Sequence, residues 1–123
     1  MKSVQISIDK DSKSYTPGEQ ISGTARWQLE ESVESIDVRL FFYTEGKGTS
    51  DIEVLETIPV ENPPLTGSQR FDWRLPQTPY SFSGKLISLI WAVEVVLLPS
   101  GDAESYEFQM TPTGKEIVLG SVS

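Results

Sequence analysis

Along most of the chain, apolar and polar residues alternate with a period of two, the signature of a β-strand with one buried face. Val4, Ile6 and Ile8 share one parity, with Ser3, Gln5, Ser7 and Asp9 on the other. A turn follows at Tyr15-Thr16-Pro17-Gly18-Glu19, where Pro17 presets φ and Gly18 accepts a positive value. Beyond it, Ile21, Gly23, Ala25, Trp27 and Leu29 alternate with Gln20, Ser22, Thr24, Arg26 and Gln28. A third strand points Ile36, Val38, Leu40 and Phe42 inward, with Asp37, Arg39, Phe41 and Tyr43 facing away. Gly46-Lys47-Gly48 breaks the pattern. A fourth strand runs from Asp51 to Ile58, its phase disturbed where Val54 and Leu55 adjoin, and Val60 to Ser68, with Pro63-Pro64, reads as a loop.

Phe71, Trp73 and Leu75 resume the alternation, and Pro76 to Gly84 is a proline-rich connection. Leu86 to Leu98, with Ile87, Leu89, Trp91, Val93, Val95 and Leu97 on one parity, predicts the central strand. After a turn at Pro99-Ser100-Gly101-Asp102, Tyr106 and Phe108 begin another strand, and Ile117-Val118-Leu119 supply the last. No segment has a helical period. Some seven or eight short strands separated by turn residues predict an all-β protein, an immunoglobulin-like antiparallel β-sandwich forming a single domain over 1–123.

Composition narrows the chemistry. The 123 residues include neither cysteine nor histidine. That removes a thiol nucleophile, the usual zinc ligands and any Ser-His-Asp or Cys-His machinery, so no enzyme activity and no cofactor are expected. Asp and Glu number 18 against 10 Lys and Arg, a net charge of −8, which opposes binding to a phosphate backbone. Residues 30–61 hold nine acids (Glu30, Glu31, Glu34, Asp37, Glu45, Asp51, Glu53, Glu56 and Glu61) and two bases (Arg39 and Lys47). Such a field steers basic partners inward, and it also keeps exposed strand edges from pairing with other chains. The apolar stretch from Leu86 to Leu98 falls short of the roughly 20 residues of a membrane-crossing helix. The N-terminus alternates from the start, without the apolar core of a signal peptide, so a cytoplasmic protein with no membrane insertion is expected.

Two stretches carry a family resemblance. Tyr15-Thr16-Pro17-Gly18-Glu19-Gln20-Ile21-Ser22-Gly23 resembles the Y-x-P-G-E-x-I-x-G opening of the second strand in the arrestin-like family. Phe71-Asp72-Trp73-Arg74-Leu75-Pro76, followed by Pro79-Tyr80-Ser81-Phe82-Ser83-Gly84, resembles that family's F-x-F-x-L-P segment with its downstream P-S-x-x-G, in the same order and at fitting spacing. The family comprises the immunoglobulin-type sandwiches of arrestins, of the retromer's arrestin-fold subunit and of bacterial sporulation-control proteins. The resemblance implies an arrestin-like topology and a scaffold-like role. The family's members commonly carry two tandem sandwiches, whereas this chain has length for one. It also lacks a PPxY motif, because Thr66 follows Pro63-Pro64-Leu65.

Several residues invite a functional reading. Glu94 is the one charge between Leu86 and Leu98, but it shares parity with Ser88 and Ala92 and has no identifiable acid or base partner, so it is expected to face solvent or a sheet rim. Asp9 and Asp11, together with Asp102 and Glu104, are a candidate calcium cluster at one end of the sandwich, set against the plainer reading of solvated loops. Trp27, Trp73 or Trp91 would be the stacking platform of a sugar-binding module, although their inward parity speaks against it. Pro76-Gln77-Thr78-Pro79 matches P-x-x-P and reads as a structural connection. Phe41, Tyr43, Tyr80 and Phe82 lie outside the expected core and are the candidate partner-binding aromatics. The function expected from the sequence is therefore a non-catalytic protein-interaction module with a protein partner or a second copy of itself as a homodimer. A calcium- or carbohydrate-binding sandwich is the alternative.

Overall fold

A computed structural model describes residues 3–46, 49–84, 87–113 and 117–118. All its regular elements are strands: β1 (Ser3–Ile8), β2 (Ser14–Tyr15), β3 (Gln20–Gln28), β4 (Ser35–Gly46), β5 (Thr49–Glu61), β6 (Thr66–Arg74), β7 (Phe82–Ser83), β8 (Ile87–Leu98), β9 (Ala103–Met110) and β10 (Ile117–Val118). They form two facing layers. The smaller sheet has the order β1-β3-β6. In the larger sheet β5, β4 and β8 run side by side, and the far edge of β8 is shared by β7 and β9, which carry β10 and β2 respectively. Among the described residues the long pairings are antiparallel, and only the two-residue pairs β2–β9 and β10–β7 are parallel.

The period-two pattern accounts for this arrangement. On β8, Leu89, Trp91, Val93, Val95 and Leu97 face the smaller sheet and are buried, and the strand lies within its sheet as expected. Register places them opposite Thr44, Phe42, Leu40, Val38 and Ile36 of β4. Ile21, Ala25 and Trp27 of β3, with Phe71 and Trp73 of β6, close the core from the other side. Each fully buried aliphatic or aromatic side chain contributes about 1.5–3 kcal/mol, so this layer of interdigitated residues is the main stabiliser.

The strands run further than hydrophobicity alone indicated. β5 continues to Glu61 and β6 begins at Thr66, so the expected loop shrinks to residues 62–65. Thr66 to Arg70 lacks apolar alternation, yet it pairs with β3 from Gln28 to Thr24, its backbone satisfied by a neighbour distant in sequence. Tyr15, expected in a turn, is a buried strand residue whose ring meets Phe108 edge-on at 5.2 Å. Ser14 and Tyr15 pair with Gln109 and Met110. The disturbed phase at Val54 and Leu55 is a β-bulge. Leu40 pairs with Glu56 and Phe41 with Val54, leaving Leu55 unpaired. Ile58 and Val60 therefore lie on the core side, while Ile52 and Val54 lie on the opposite side.

The two arrestin-like stretches interlock. Glu19 N–H donates to the Thr16 carbonyl at 3.1 Å across Pro17 and Gly18, with Gly18 at φ 80° as its place in the turn requires. The Leu75 N–H then donates to the Glu19 carbonyl at 2.8 Å, and the Arg74 guanidinium donates to the Gly18 carbonyl at 3.1 Å. The proline-glycine turn and the end of β6 thus hold each other.

A candidate partner-binding face

On the outer face of the larger sheet, cross-strand register assembles a row that the sequence does not show as contiguous. Val54 of β5, Phe41 of β4, Ala92 of β8 and Glu107 of β9 lie side by side. Ile52, Tyr43 and Ile90 form the adjacent row. The Phe41 and Tyr43 rings stack at 5.9 Å with 25° between their planes. Phe41 is 5% exposed, although it points away from the core, because Ala92, Val54 and Tyr43 surround it; its contribution is a floor. Ile52 and Val54 are the open part, 64% and 44% exposed.

Polar groups frame this floor. The Tyr43 hydroxyl donates to Glu107 Oε2 at 2.7 Å. Partial burial, reinforced by Glu107, pushes the Tyr43 hydroxyl pKa up to about 12, so it stays a donor throughout the physiological range. Further along the face, Arg39 lies 2.9 Å from Asp37 and 3.9 Å from Glu94. Glu94 thus lies on the outer face of the sheet, the side its parity indicated, but it is partly buried and has Arg39 as a cationic neighbour. Burial raises its carboxyl pKa, and Arg39 offsets part of that rise. Asp37, Glu45, Glu94 and Glu107 stand on this face with Arg39. Asp51, Glu53 and Glu56 of β5 are also exposed.

Of the four aromatics singled out from the sequence, Phe41 and Tyr43 are brought into direct contact. Phe41 and Tyr43 stack on the outer face, whereas Phe82 sits opposite Leu89 and packs against the core. Tyr80 lies in the connection before β7 and is 36% exposed. Phe82 also lines a cleft of about 430 Å³ where the edge of β8 passes from β7 to β9, with Lys13, Ile90, Glu107, Phe108 and Gln109. Ile90 and Glu107 join that cleft to the Tyr43 row. Ile52 and Val54 were missed because bulge and register, both products of distant pairing, turn them outward. The adjoining Val54 and Leu55 were the one signal of this in the sequence.

The crystal structure of Spo0M, a sporulation control protein from Bacillus subtilis, superposes with a TM-score of 0.51 over 98% of this chain at 17% identity. The fold is arrestin-like, of the Spo0M type. The chain spans half of Spo0M. A β-glucosidase from Listeria innocua in complex with gluconolactone matches at a TM-score of 0.48 and 16% identity, over 94% of this chain and 16% of its own. The alkylpurine DNA glycosylase AlkC of Pseudomonas fluorescens, bound to DNA containing an abasic site analog, reaches 0.45 and 10% over 89% of this chain and 30% of its own. No protein-family model and no curated protein sequence matches the chain.

Within the arrestin-like frame the remaining candidates find structural explanations. Asp9 and Asp102, two of the acids considered for calcium, lie at opposite ends of the sandwich. Asp9 N–H bonds the Ser22 carbonyl near the start of β3, whereas Asp102 shares a cleft with Leu29 to Val33 beyond its end. Asp9 is engaged by the Arg70 guanidinium, whose hydrogen bond holds its carboxyl below the usual range. Among the described residues no group of three or more acids is placed to hold a metal ion. Trp27, Trp73 and Trp91 are 4%, 8% and 0% exposed, which leaves no indole face for a sugar. The Trp91 indole N–H donates to the Pro79 carbonyl at 2.8 Å, so the P-x-x-P segment serves as a strut for the central tryptophan. Among the described residues, no helix is long and apolar enough to cross a membrane.

Proposed function

We propose that this domain is a non-catalytic interaction module of arrestin-like fold, acting through the outer face of its larger sheet on another protein. One observation carries the reading: Ile52 and Val54 stand 64% and 44% exposed beside the Phe41–Tyr43 stack, on a face that no other described element covers. Uncovered apolar side chains next to aromatics, framed by polar groups, have the composition of a protein-binding patch. Spo0M, a sporulation control protein, uses the same fold, which is in keeping with a regulatory role.

The test is quantitative comparison of proteins captured from lysate of the native cell by the intact domain and by an Ile52→Asp/Val54→Asp variant. Specific capture that falls several-fold in the variant, with its melting temperature preserved, supports the reading. Absence of specific capture, or equal capture by both proteins, overturns it.

A further inference from the structure

The face ends at a strand with a free edge. β5 is the terminal strand of the larger sheet, and among the described residues no strand hydrogen-bonds its outer side. Such a row of unpaired backbone groups is a template for an incoming strand. On the tip side of the bulge, between Asp51 and Val54, β5 sorts its side chains by chemistry. Ile52 and Val54 point to the outer face, opposite Tyr43 and Phe41. Asp51 and Glu53 point to the other face, opposite Thr44 and Phe42, and both are exposed. An added strand would place alternate side chains beside each set. Those next to Ile52 and Val54 extend an apolar row, and those next to Asp51 and Glu53 meet carboxylates.

We propose that the edge of β5 from Asp51 to Val54 binds an extended protein segment in which apolar residues alternate with lysine or arginine, added as a further strand of the larger sheet. The inference rests on the reading of the domain as an interaction module and specifies its partner. Charge complementarity selects the occupant. A second copy of this chain would bring Asp51 and Glu53 against acids of its own kind, between two molecules that each carry −8. Like charges directly opposite across strands are unfavourable, whereas opposite charges are favourable. The acids that keep β5 from pairing with itself thus admit a basic strand. Toward Glu61 the edge is less receptive, because the bulge interrupts the ladder and Pro59 has no N–H to offer.

The experiment uses three synthetic peptides of about eight residues, the length of an ordinary strand. In one, valine alternates with lysine. In the second, valine alternates with glutamate. The third has the composition of the first, with its valines and lysines in blocks. Binding is read by fluorescence anisotropy and by amide chemical-shift changes in the isotope-labelled domain. The expected result is binding of the alternating valine–lysine peptide alone, weakened by added salt, with shifts centred on residues 51–54. An Asp51→Lys/Glu53→Lys variant of unchanged melting temperature binds it about tenfold more weakly, two cross-strand pairs having turned from attraction to repulsion.

Lack of binding, shifts centred elsewhere, equal binding of the glutamate or block peptide, or a domain that dimerises through β5 would each overturn the proposal. The interaction reading is tested separately. If Ile52→Asp/Val54→Asp abolishes capture of cellular proteins while the valine–lysine peptide fails to bind, the outer face stands as the docking site and the added basic strand is refuted.

Discussion

Gly23 lies directly beneath the ring of Phe71, its partner across the β3–β6 ladder. A Cβ on Gly23 would stand 2.7 Å from Phe71 Cζ and would overlap the Ser7 carbonyl oxygen of β1. The glycine thus makes room for a ring on one side and a backbone on the other, at the middle strand of the smaller sheet. Gly23→Ala is expected to destabilise the domain by about 3 kcal/mol, read from the urea midpoint. Combining it with Phe71→Ala should not restore stability, because the Ser7 carbonyl remains in the way. Full rescue would show that the ring alone sets the requirement.

A second prediction concerns the proline-glycine turn. Glu19 accepts from Lys10 at 2.7 Å and from the Thr16 N–H at 2.9 Å. Burial pushes its carboxyl pKa up, but these two donors outweigh burial and hold it below the usual value. The unfolded chain therefore binds the proton more readily. The stabilisation is present above the ordinary glutamate range and is lost as pH falls through the lowered folded value. Glu19→Ala should cost about 1 kcal/mol near neutrality. The difference from the parent should shrink in acid, as urea titrations at successive pH values would record. A difference independent of pH would refute the electrostatic account.

Glu94 should behave in the opposite sense. Its carboxyl pKa is raised by burial on the outer face, so the folded protein holds this proton more tightly than the unfolded chain does. Stability from this group is complete below the ordinary glutamate range and is lost as pH rises through the raised folded value. Glu94→Gln removes the buried charge, and Asp37 keeps its 2.9 Å contact with Arg39. The variant should gain up to about 1 kcal/mol at neutral pH and show a flatter stability profile on the acid side of neutrality. A loss of stability at neutral pH would mean that the contact with Arg39 outweighs the cost of burial.

The tryptophans provide a test of the calcium and sugar alternative. Trp27, Trp73 and Trp91 are all buried, and the indoles of Trp27 and Trp91 donate to the Pro64 and Pro79 carbonyls at 3.0 and 2.8 Å. Emission should be blue-shifted, resist iodide quenching in the folded protein and move to the red on unfolding. Neither calcium nor a panel of glycans should alter the emission or the melting temperature. A saturable change with either would reinstate that function.

Much of the fold was legible because its information is local. Alternation in β1, β3, β4 and β8 marks which face is buried, and the glycine and proline turns mark where the chain reverses. What could not be read depends on partners far along the chain. The polar start of β6 is a strand because β3 lies beside it. Phe41 is buried although it is off the core, because β5 and β8 bring Val54 and Ala92 to its flanks. Phe82 is partly buried against the core because pairing places it opposite Leu89. Gly67 lies beneath Trp27, where a Cβ would come within 2.8 Å of the indole.

The unpaired Leu55 divides one strand between two tasks. From Ile58 to Val60 the side chains answer to the interior, so the requirements of folding confine them. From Ile52 to Val54 they answer to whatever the domain meets, and exchanging them carries little folding penalty. Related domains could therefore change allegiance by rewriting a handful of positions near the hairpin tip while the scaffold stays intact. Deleting Leu55 would remove the bulge and leave both faces as they are: Val54 would adjoin Glu56 directly, opposite Phe41, so Ile52 and Val54 would stay outward and a regular, straighter edge would carry the same apolar row.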